Sequence, residues 1–195
     1  MASQTRPSPD ETRGRLLAAA ERILIEQGIH ALTVRRVGDV SGLNCTLVTY
    51  HFGGVAGMLA ELARCNLEPM LADWNGLPEP GASLDAVLEA WLRPLMRPAA
   101  FHPEGRALLV LDEIAAHGSE ELSAPVMKTM VGIAERVHGL LAPLLTELDE
   151  PTLVARLRFI AGAALGPPPR SRAPQRDGID GLEQFRAFAK AALTG

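Results

Sequence analysis

Several features that would point to other protein classes are missing from this sequence. Its 195 residues contain two cysteines, Cys45 and Cys65, which fall in separate predicted helices and do not make a disulfide framework. The sequence contains no run of about 18 or more apolar residues, which is the length needed to cross a bilayer. The first residues, MASQTRPSPDE, lack an apolar signal core. We therefore expect a cytoplasmic protein with no membrane partner.

Motifs of common catalytic chemistry are also missing. There is no glycine-rich phosphate loop, no HExxH, no GxSxG and no CxxC pair, and the acidic residues are scattered over predicted helix surfaces. The sequence therefore predicts that the protein is not an enzyme and has neither a metal site nor a cofactor.

Lysine is scarce, and the charge of the N-terminal part is balanced. The chain has 19 basic residues, of which only Lys128 and Lys190 are lysines. The first 70 residues contain seven arginines and seven acids, so their net charge is 7 minus 7, or zero.

Residues 33–52, TVRRVGDVSGLNCTLVTYHF, carry the most informative pattern. Thr33 is a good N-cap for a two-turn helix whose valines recur every three residues, and Ser41-Gly42 ends that helix. Asn44 can cap a second helix only two residues later. Two short helices joined by so tight a turn predict a helix-turn-helix, which presents its second helix to a DNA groove.

The second helix of this motif has two different faces. Helical spacing turns one set of residues inward (Leu47, Val48, His51 and Phe52) and leaves small and polar side chains with one aromatic pointing outward (Cys45, Thr46, Thr49 and Tyr50). Gly38, in the first helix, lets the second approach closely. Ordinary helical proteins also contain helix pairs with short turns, so the pattern alone leaves plain packing open.

A well-marked helix precedes the motif. Ser8 and Glu11 form a capping box, Pro9 occupies the first helical position, and Gly28 follows the last turn. Together these segments predict a three-helix DNA-binding head over residues 9–54, with the motif at 33–52.

The run from Thr12 to Leu62 resembles the N-terminal domain of the tetracycline-repressor (TetR) family of bacterial transcription regulators. The shared marks are an alanine-rich first helix, Gly28, Thr33-Val34, Gly42, and Tyr50-His51-Phe52. The resemblance implies an all-α fold with this head and a C-terminal helical domain, residues 55–195, for effector binding and dimerisation.

The resemblance also implies roles for individual residues. The threonine at the position of Thr33 binds a phosphate at a helix N-terminus. The residues expected to face DNA are Thr33, Arg35, Asn44, Cys45, Thr46, Thr49, Tyr50 and His51. Among them, Tyr50 and His51 would hold the backbone and Cys45, Thr46 and Thr49 would approach base edges. His51 beside Phe52 could equally be a hydrogen-bonded core residue.

One position departs from the family pattern. Where these proteins carry a phosphate-binding lysine followed by an acid, this sequence has Val55 and Ala56. With the neutral head, this loss predicts weak non-specific DNA binding.

Residues beyond Gly54 are predicted to form six further helices. A helix from Val55 to Trp74 connects head and body, and others follow from 82–83 to about 93, from 103–104 to 116, from Met127 to Leu148 with a kink at Pro143, over 151–165, and over 181–193.

The candidate effector pocket combines aromatic, methionine and histidine side chains: Trp74, Trp91, Met96, Phe101, His102, His117, Met127, Met130 and Phe159. We expect a small, mainly apolar effector.

The last two predicted helices, 151–165 and 181–193, have small and apolar faces suited to a homodimer interface, although they could instead complete the monomer core. The sequence therefore predicts a repressor that a small molecule releases from palindromic operator DNA. The alternative is a degenerate relative that serves as a ligand-binding or protein-interaction module.

Overall fold

The computed structural model describes residues 8–166 and 181–195, which form α-helices joined by short connections. The helices are α1 (Pro9–Gln27), α2 (Val34–Ser41), α3 (Thr46–Phe52), α4 (Val55–Trp74), α5 (Leu84–Leu95), α6 (Ala107–His117), α7 (Glu120–Leu141), α8 (Glu150–Ala163) and α9 (Gly181–Thr194). The described residues contain one isolated β-bridge, between Pro98 and Arg106, and no longer strand. The all-α prediction is confirmed.

The predicted N-caps of the first two helices are present. Ser8 Oγ accepts a hydrogen bond from the Glu11 backbone N–H at 3.1 Å, and Thr33 Oγ1 accepts one from the Arg36 N–H at 3.1 Å. Each satisfies a backbone donor that the first helical turn leaves without a partner.

The head packs around α1 and the first half of α4. Helices α1, α2 and α3 contact one another in sequence, and α4 contacts both α1 and α3. The side chains that fill this space are fully buried: Leu16, Ala20, Ile23, Val37, Val48, Met58 and Leu62. Their burial fixes which face of α3 turns outward.

The second half of α4 enters the body and packs against α5, α6 and α7. Trp74 ends this helix almost fully buried, and its indole N–H donates to the Trp91 carbonyl at 3.0 Å. Helix α9 lies against α5 and α8, where Lys190 pairs with Asp85 at 2.8 Å and Arg186 with Glu89 at 3.0 Å. No helix in the described ranges is both long and apolar enough to span a membrane.

Two predicted helices in the body had wrong boundaries. Helix α6 begins at Ala107 rather than at residue 103 or 104, because the preceding residues form a turn in which the Ala99 N–H donates to the Gly105 carbonyl at 2.9 Å. Helix α7 starts seven residues before Met127, at Glu120, and ends at Leu141. A 3-10 turn over Ala142–Leu144 follows it, because Pro143 has no N–H to continue the helix. The predicted loop after Gly166 lies outside the described residues.

Candidate DNA-binding surface and effector cavity

The turn between α2 and α3 is short and closed by local hydrogen bonds. Gly42 adopts the left-handed conformation, with φ +67°, which only glycine takes without strain. The Leu43 N–H donates to the Gly38 carbonyl at 3.2 Å. Asn44 Oδ1 then accepts from the Thr46 N–H at 3.0 Å and from the Thr46 hydroxyl at 2.9 Å. These bonds fix the direction in which α3 leaves the turn.

The two helices of the motif approach closely at Gly38, as the sequence predicted. A Cβ atom placed on Gly38 would lie 2.8 Å from Cys45 Cβ and 3.1 Å from Cys45 Cα. Cys45 is half-buried there. The Cβ of Cys45 therefore contributes to the contact between the helices, and the approach of Cys45 to base edges stays a prediction.

The outer face of α3 is polar and open to solvent. Thr46 and Thr49 are exposed, and Tyr50 is 81% exposed, while Val48 on the opposite face is fully buried. Because most of its side chain is exposed, Tyr50 is free to contact a partner.

His51 occupies an intermediate position. It is half-buried, with its ring 5.0 Å from the Tyr50 ring in an edge-to-face arrangement and 6.2 Å from the Phe52 ring. The His51 carbonyl accepts from Arg13 at 3.4 Å, and the Arg13 guanidinium lies 4.7 Å from the Phe52 ring centre. The His51 ring therefore packs against the Tyr50 ring, and only part of the His51 side chain is exposed.

Most arginines described in the head are engaged by groups of the same chain. Glu61 pairs with Arg13 at 2.6 Å and with Arg64 at 2.9 Å, and Arg22 pairs with Glu26 at 3.0 Å. Arg15 donates to the Ser41 carbonyl, and Arg36 donates to Gln27. Within the described part of the head, Arg35 is exposed and forms no hydrogen bond or ion pair that would hold it away from DNA.

This pairing predicts a shallow salt dependence of DNA binding. Each phosphate that a protein neutralises contributes about −0.9 to the slope of log K against log salt concentration. Because few head cations are free, we expect a slope shallower than about −8. A fluorescence-anisotropy titration over a range of salt concentrations measures it, and a steeper slope would contradict this electrostatic interpretation.

Glu61 also makes the head sensitive to acid. Hydrogen bonds from Arg64 and Arg13 lower the pKa of Glu61 from 4.5 to about 2. Since the folded pKa lies below the ordinary value, the ionised carboxylate stabilises the fold above pH 4.5, and this stability is lost as the pH falls towards 2.

Glu61→Gln should therefore flatten the loss of stability on acidification. We expect the free energy of unfolding to lose about 1–2 kcal/mol less than in the wild type over this acidic range. Denaturation at a series of pH values measures the difference. Glu26→Gln, which removes an exposed ion pair on α1, is the control and should leave the wild-type profile unchanged.

Comparison with known proteins agrees with this geometry. The family model for bacterial regulatory proteins of the tetR family matches residues 16–62. Residues 16–62, which contain the helix-turn-helix, are therefore similar to the DNA-binding part of this family.

Similarity to a curated relative extends beyond the head. Over 92 residues the chain is 29% identical to the HTH-type transcriptional repressor KstR2 of Rhodococcus jostii (strain RHA1). This alignment covers 44% of this chain and 45% of that repressor. The chain thus matches a little under half the length of this curated relative.

Solved structures of transcriptional regulators share the fold over nearly the whole chain. The regulator PfmR of Thermus thermophilus has a TM-score of 0.66 at 19% identity, covering 93% of this chain and 98% of its own. The ketosteroid regulator KstR2 of Mycobacterium tuberculosis has a TM-score of 0.64 at 19% identity, covering 98% and 96%. At these identities the likeness establishes the fold alone.

The joint between α3 and α4 differs from the TetR pattern and is built from glycines. Gly53 and Gly54 have φ values of +72° and +118°, so both occupy conformations that other residues adopt with strain. At Gly57 an added Cβ would lie 1.9 Å from the Phe52 carbonyl oxygen. Val55 is half-buried at the start of α4, in the place of the family's lysine. Packing of the chain, rather than a cation, defines this joint.

A cavity of about 790 Å³ lies in the body. Helices α6, α7 and α8 form most of its wall, and Trp74 and Trp91 contribute from α4 and α5. Polar groups are few: Asp112, Glu135, His138, Glu150 and Arg158. His138 Nε2 lies 3.1 Å from Glu150 Oε2. The volume and the apolar wall are those of a typical small-molecule site.

The structure brings four of the nine predicted pocket residues to this cavity: Trp74, Trp91, Met127 and Met130. The other five do not line it. Met96 Sδ lies 3.6 Å from Arg106 Nη1, and the Phe101 backbone and His102 approach Glu21. The centre of the His117 ring lies 5.8 Å from that of His30 in the head, with the two rings tilted. Phe159 is 74% exposed on the outer face of α8. His138, which the sequence analysis missed, is the histidine that faces the cavity.

Proposed function

We propose that this protein is a DNA-binding transcriptional regulator that represses its target and is released from a palindromic operator by a small effector. The observation that carries the proposal is the outer face of α3, where exposed Thr46, Thr49 and Tyr50 follow a rigid helix-turn-helix turn. This face has the size and polarity to enter a major groove. The protein would act in the cytoplasm.

Each residue on the surface has a proposed role. Tyr50 and His51 hold the DNA backbone, while Thr46 and Thr49 approach base edges. Thr33 and Arg35, at the exposed start of α2, contact a phosphate. Asn44, which positions α3 through its bonds to Thr46, and Cys45, whose Cβ lies against Gly38, complete the proposed DNA-binding surface.

The proposed effector is a small, mainly apolar molecule that occupies the cavity. Three acidic side chains, Asp112, Glu135 and Glu150, lie on the wall with one arginine, Arg158. This balance disfavours phosphorylated or other strongly anionic ligands, because such ligands require compensating cations.

A gel shift with the DNA upstream of the protein's own gene tests the proposal. We expect a discrete complex, whose amount falls when a neutral apolar compound that raises the melting temperature is added. Absence of binding to any duplex, with an intact thermal response to apolar compounds, would favour a ligand-binding module without DNA recognition.

The proposed dimer uses α8 and α9. Phe159 on α8 is 74% exposed and Phe188 on α9 is 50% exposed, and the small residues Ala161, Gly162 and Ala163 beside Phe159 are also exposed. Large exposed aromatic side chains next to small residues are typical of surfaces covered by a partner. The buried residues of the same helices, such as Leu157 and Ala189, complete the monomer core.

Phe159→Glu should weaken this dimer strongly. The substitution places two like charges on a two-fold interface, so we expect at least a tenfold rise in the dimer dissociation constant, about 1.4 kcal/mol. Sedimentation equilibrium measures it. Leu144→Glu, at a side chain that is 39% exposed in the 3-10 turn after α7, is the matched control and should leave the dissociation constant unchanged. An unchanged dimer in the Phe159 variant would place the interface elsewhere.

A further inference from the structure

A buried carboxylate joins the head to the body. Glu21 on α1 is fully buried, and its Oε1 accepts from Asn66 Nδ2 of α4 at 2.7 Å. Its Oε2 accepts from the Phe101 backbone N–H, in the segment between α5 and α6, at 2.6 Å. Asn66 Oδ1 accepts from the Ala100 N–H of the same segment at 3.1 Å. The network therefore holds three separate parts of the chain together.

Both side-chain oxygens of Glu21 accept hydrogen bonds from N–H donors, an arrangement that suits a carboxylate. Burial raises the pKa of Glu21, and hydrogen bonds from Asn66, Phe101 and the His102 backbone act in the opposite direction. A carboxylate offers two acceptor oxygens to these donors, whereas a glutamine offers one acceptor and turns an NH₂ group towards another donor. A residue that only filled space at this position would be apolar.

A second carboxylate crosses the same junction from the other side. Glu113 Oε1 on α6 accepts from the Ile29 N–H, at the start of the 3-10 turn Ile29–Ala31 that follows α1, at 2.8 Å. The same oxygen lies beside Gly28, where an added Cβ would be 3.0 Å from it. Body helix α6 thus binds the backbone of the head directly.

Helix α6 also forms part of the cavity wall. Leu108, Leu111 and Ala115 line the cavity, while Glu113 of the same helix faces the head. The segment before α6 rests on α1, since a Cβ on Gly105 would lie 2.5 Å from Ile25 Cδ1. A displacement of α6 by a ligand must therefore act on α1 as well as on α4.

We propose that Glu21 and Glu113 are positioning residues that hold the head at one fixed angle on the body. The two carboxylates, with Asn66 and their backbone donors, form a head–body latch that sets the separation of the two reading helices in the dimer. Through α6, the latch transmits the state of the cavity to the head. This inference rests on the proposed function, because it needs paired heads on one operator.

Operator spacing provides a test that a purely structural role would not affect. Adding one base pair between half-sites moves them by about 3.4 Å and rotates them by about 35°. With a fixed head angle, wild-type affinity should fall about tenfold or more for each such change. Anisotropy titrations of the full-length protein against palindromes with spacers varied in single base pairs measure this profile.

Glu113→Ala should broaden the spacing profile. We expect affinity for the best spacer to fall about fivefold, while a change of one base pair costs less than about threefold. Glu26→Ala, which removes the same charge from an exposed position on α1, should keep the wild-type profile. Glu21→Gln should broaden the profile as Glu113→Ala does. If the Glu21→Gln protein fails to fold, the spacing profile of the Glu113→Ala protein alone tests the latch.

The outcomes separate the two claims. A Glu113→Ala protein with the wild-type melting temperature and the wild-type spacing profile would overturn the latch while leaving DNA recognition intact. A wild-type protein that binds no palindrome at any spacing would overturn the proposed function, and the latch with it.

Discussion

Tyr50→Ala should remove most specific operator binding while leaving the fold unchanged. Loss of a contact to DNA costs about 1–3 kcal/mol, and a homodimer loses it twice, so we expect affinity to fall about 100-fold. Because Tyr50 is 81% exposed, the melting temperature should change by less than about 2 °C. Fluorescence anisotropy with an operator selected from randomised duplexes measures the affinity, and a thermal melt measures the melting temperature.

Two further variants define what Tyr50 contributes. Tyr50→Phe keeps the ring against His51 and removes the hydroxyl, so it should lose an intermediate share of affinity if the hydroxyl binds a phosphate. Leu144→Ala, at a partly exposed apolar side chain of the body, should bind as the wild type does. Full operator affinity in Tyr50→Ala would mean that α3 is not the reading helix.

Alanine at Gly38 or Gly57 should have the opposite signature and destabilise the fold of the head. The added Cβ would lie 2.8 Å from Cys45 Cβ in the first case and 1.9 Å from the Phe52 carbonyl oxygen in the second. Overpacking of this kind costs about 1–3 kcal/mol, and Gly57→Ala should reach the upper end because the obstructing atom belongs to the backbone.

Gly14→Ala is the matched control for these substitutions. Gly14 lies within α1, and a Cβ there meets no atom within 4 Å. Alanine is a better helix former than glycine by about 1 kcal/mol, so this variant should be slightly more stable. Chemical denaturation measures all three proteins. Equal stability of the Gly38 and Gly14 variants would contradict the close approach of α2 and α3.

Features that depend on neighbouring residues could be read from the sequence. The caps at Ser8 and Thr33 and the turn at Gly42 are formed by bonds within three or four residues, and the structure confirms each of them. The close contact at Gly38 also followed from the short turn. The outward faces of Thr46, Thr49 and Tyr50 followed from helical periodicity.

Features that depend on which helix faces converge could not be read in this way. The cavity is lined by His138 and Glu150 rather than by His102 and His117, because α7 and α8 meet there while His117 ends α6 beside the head. The partners of Glu21 lie 45 and 80 residues away in the chain. One signal was available: Glu21 interrupts the apolar stripe of α1, where a charged side chain needs buried partners.

In vitro selection from a pool of randomised duplexes tests the central claim most directly. Wild-type protein should enrich a palindrome whose half-site centres are one helical turn apart, about 34–36 Å, or a multiple of it, and Tyr50→Ala should enrich nothing above background. Enrichment of no palindrome by the wild type, or of the same sequence by both proteins, would contradict recognition by paired α3 helices.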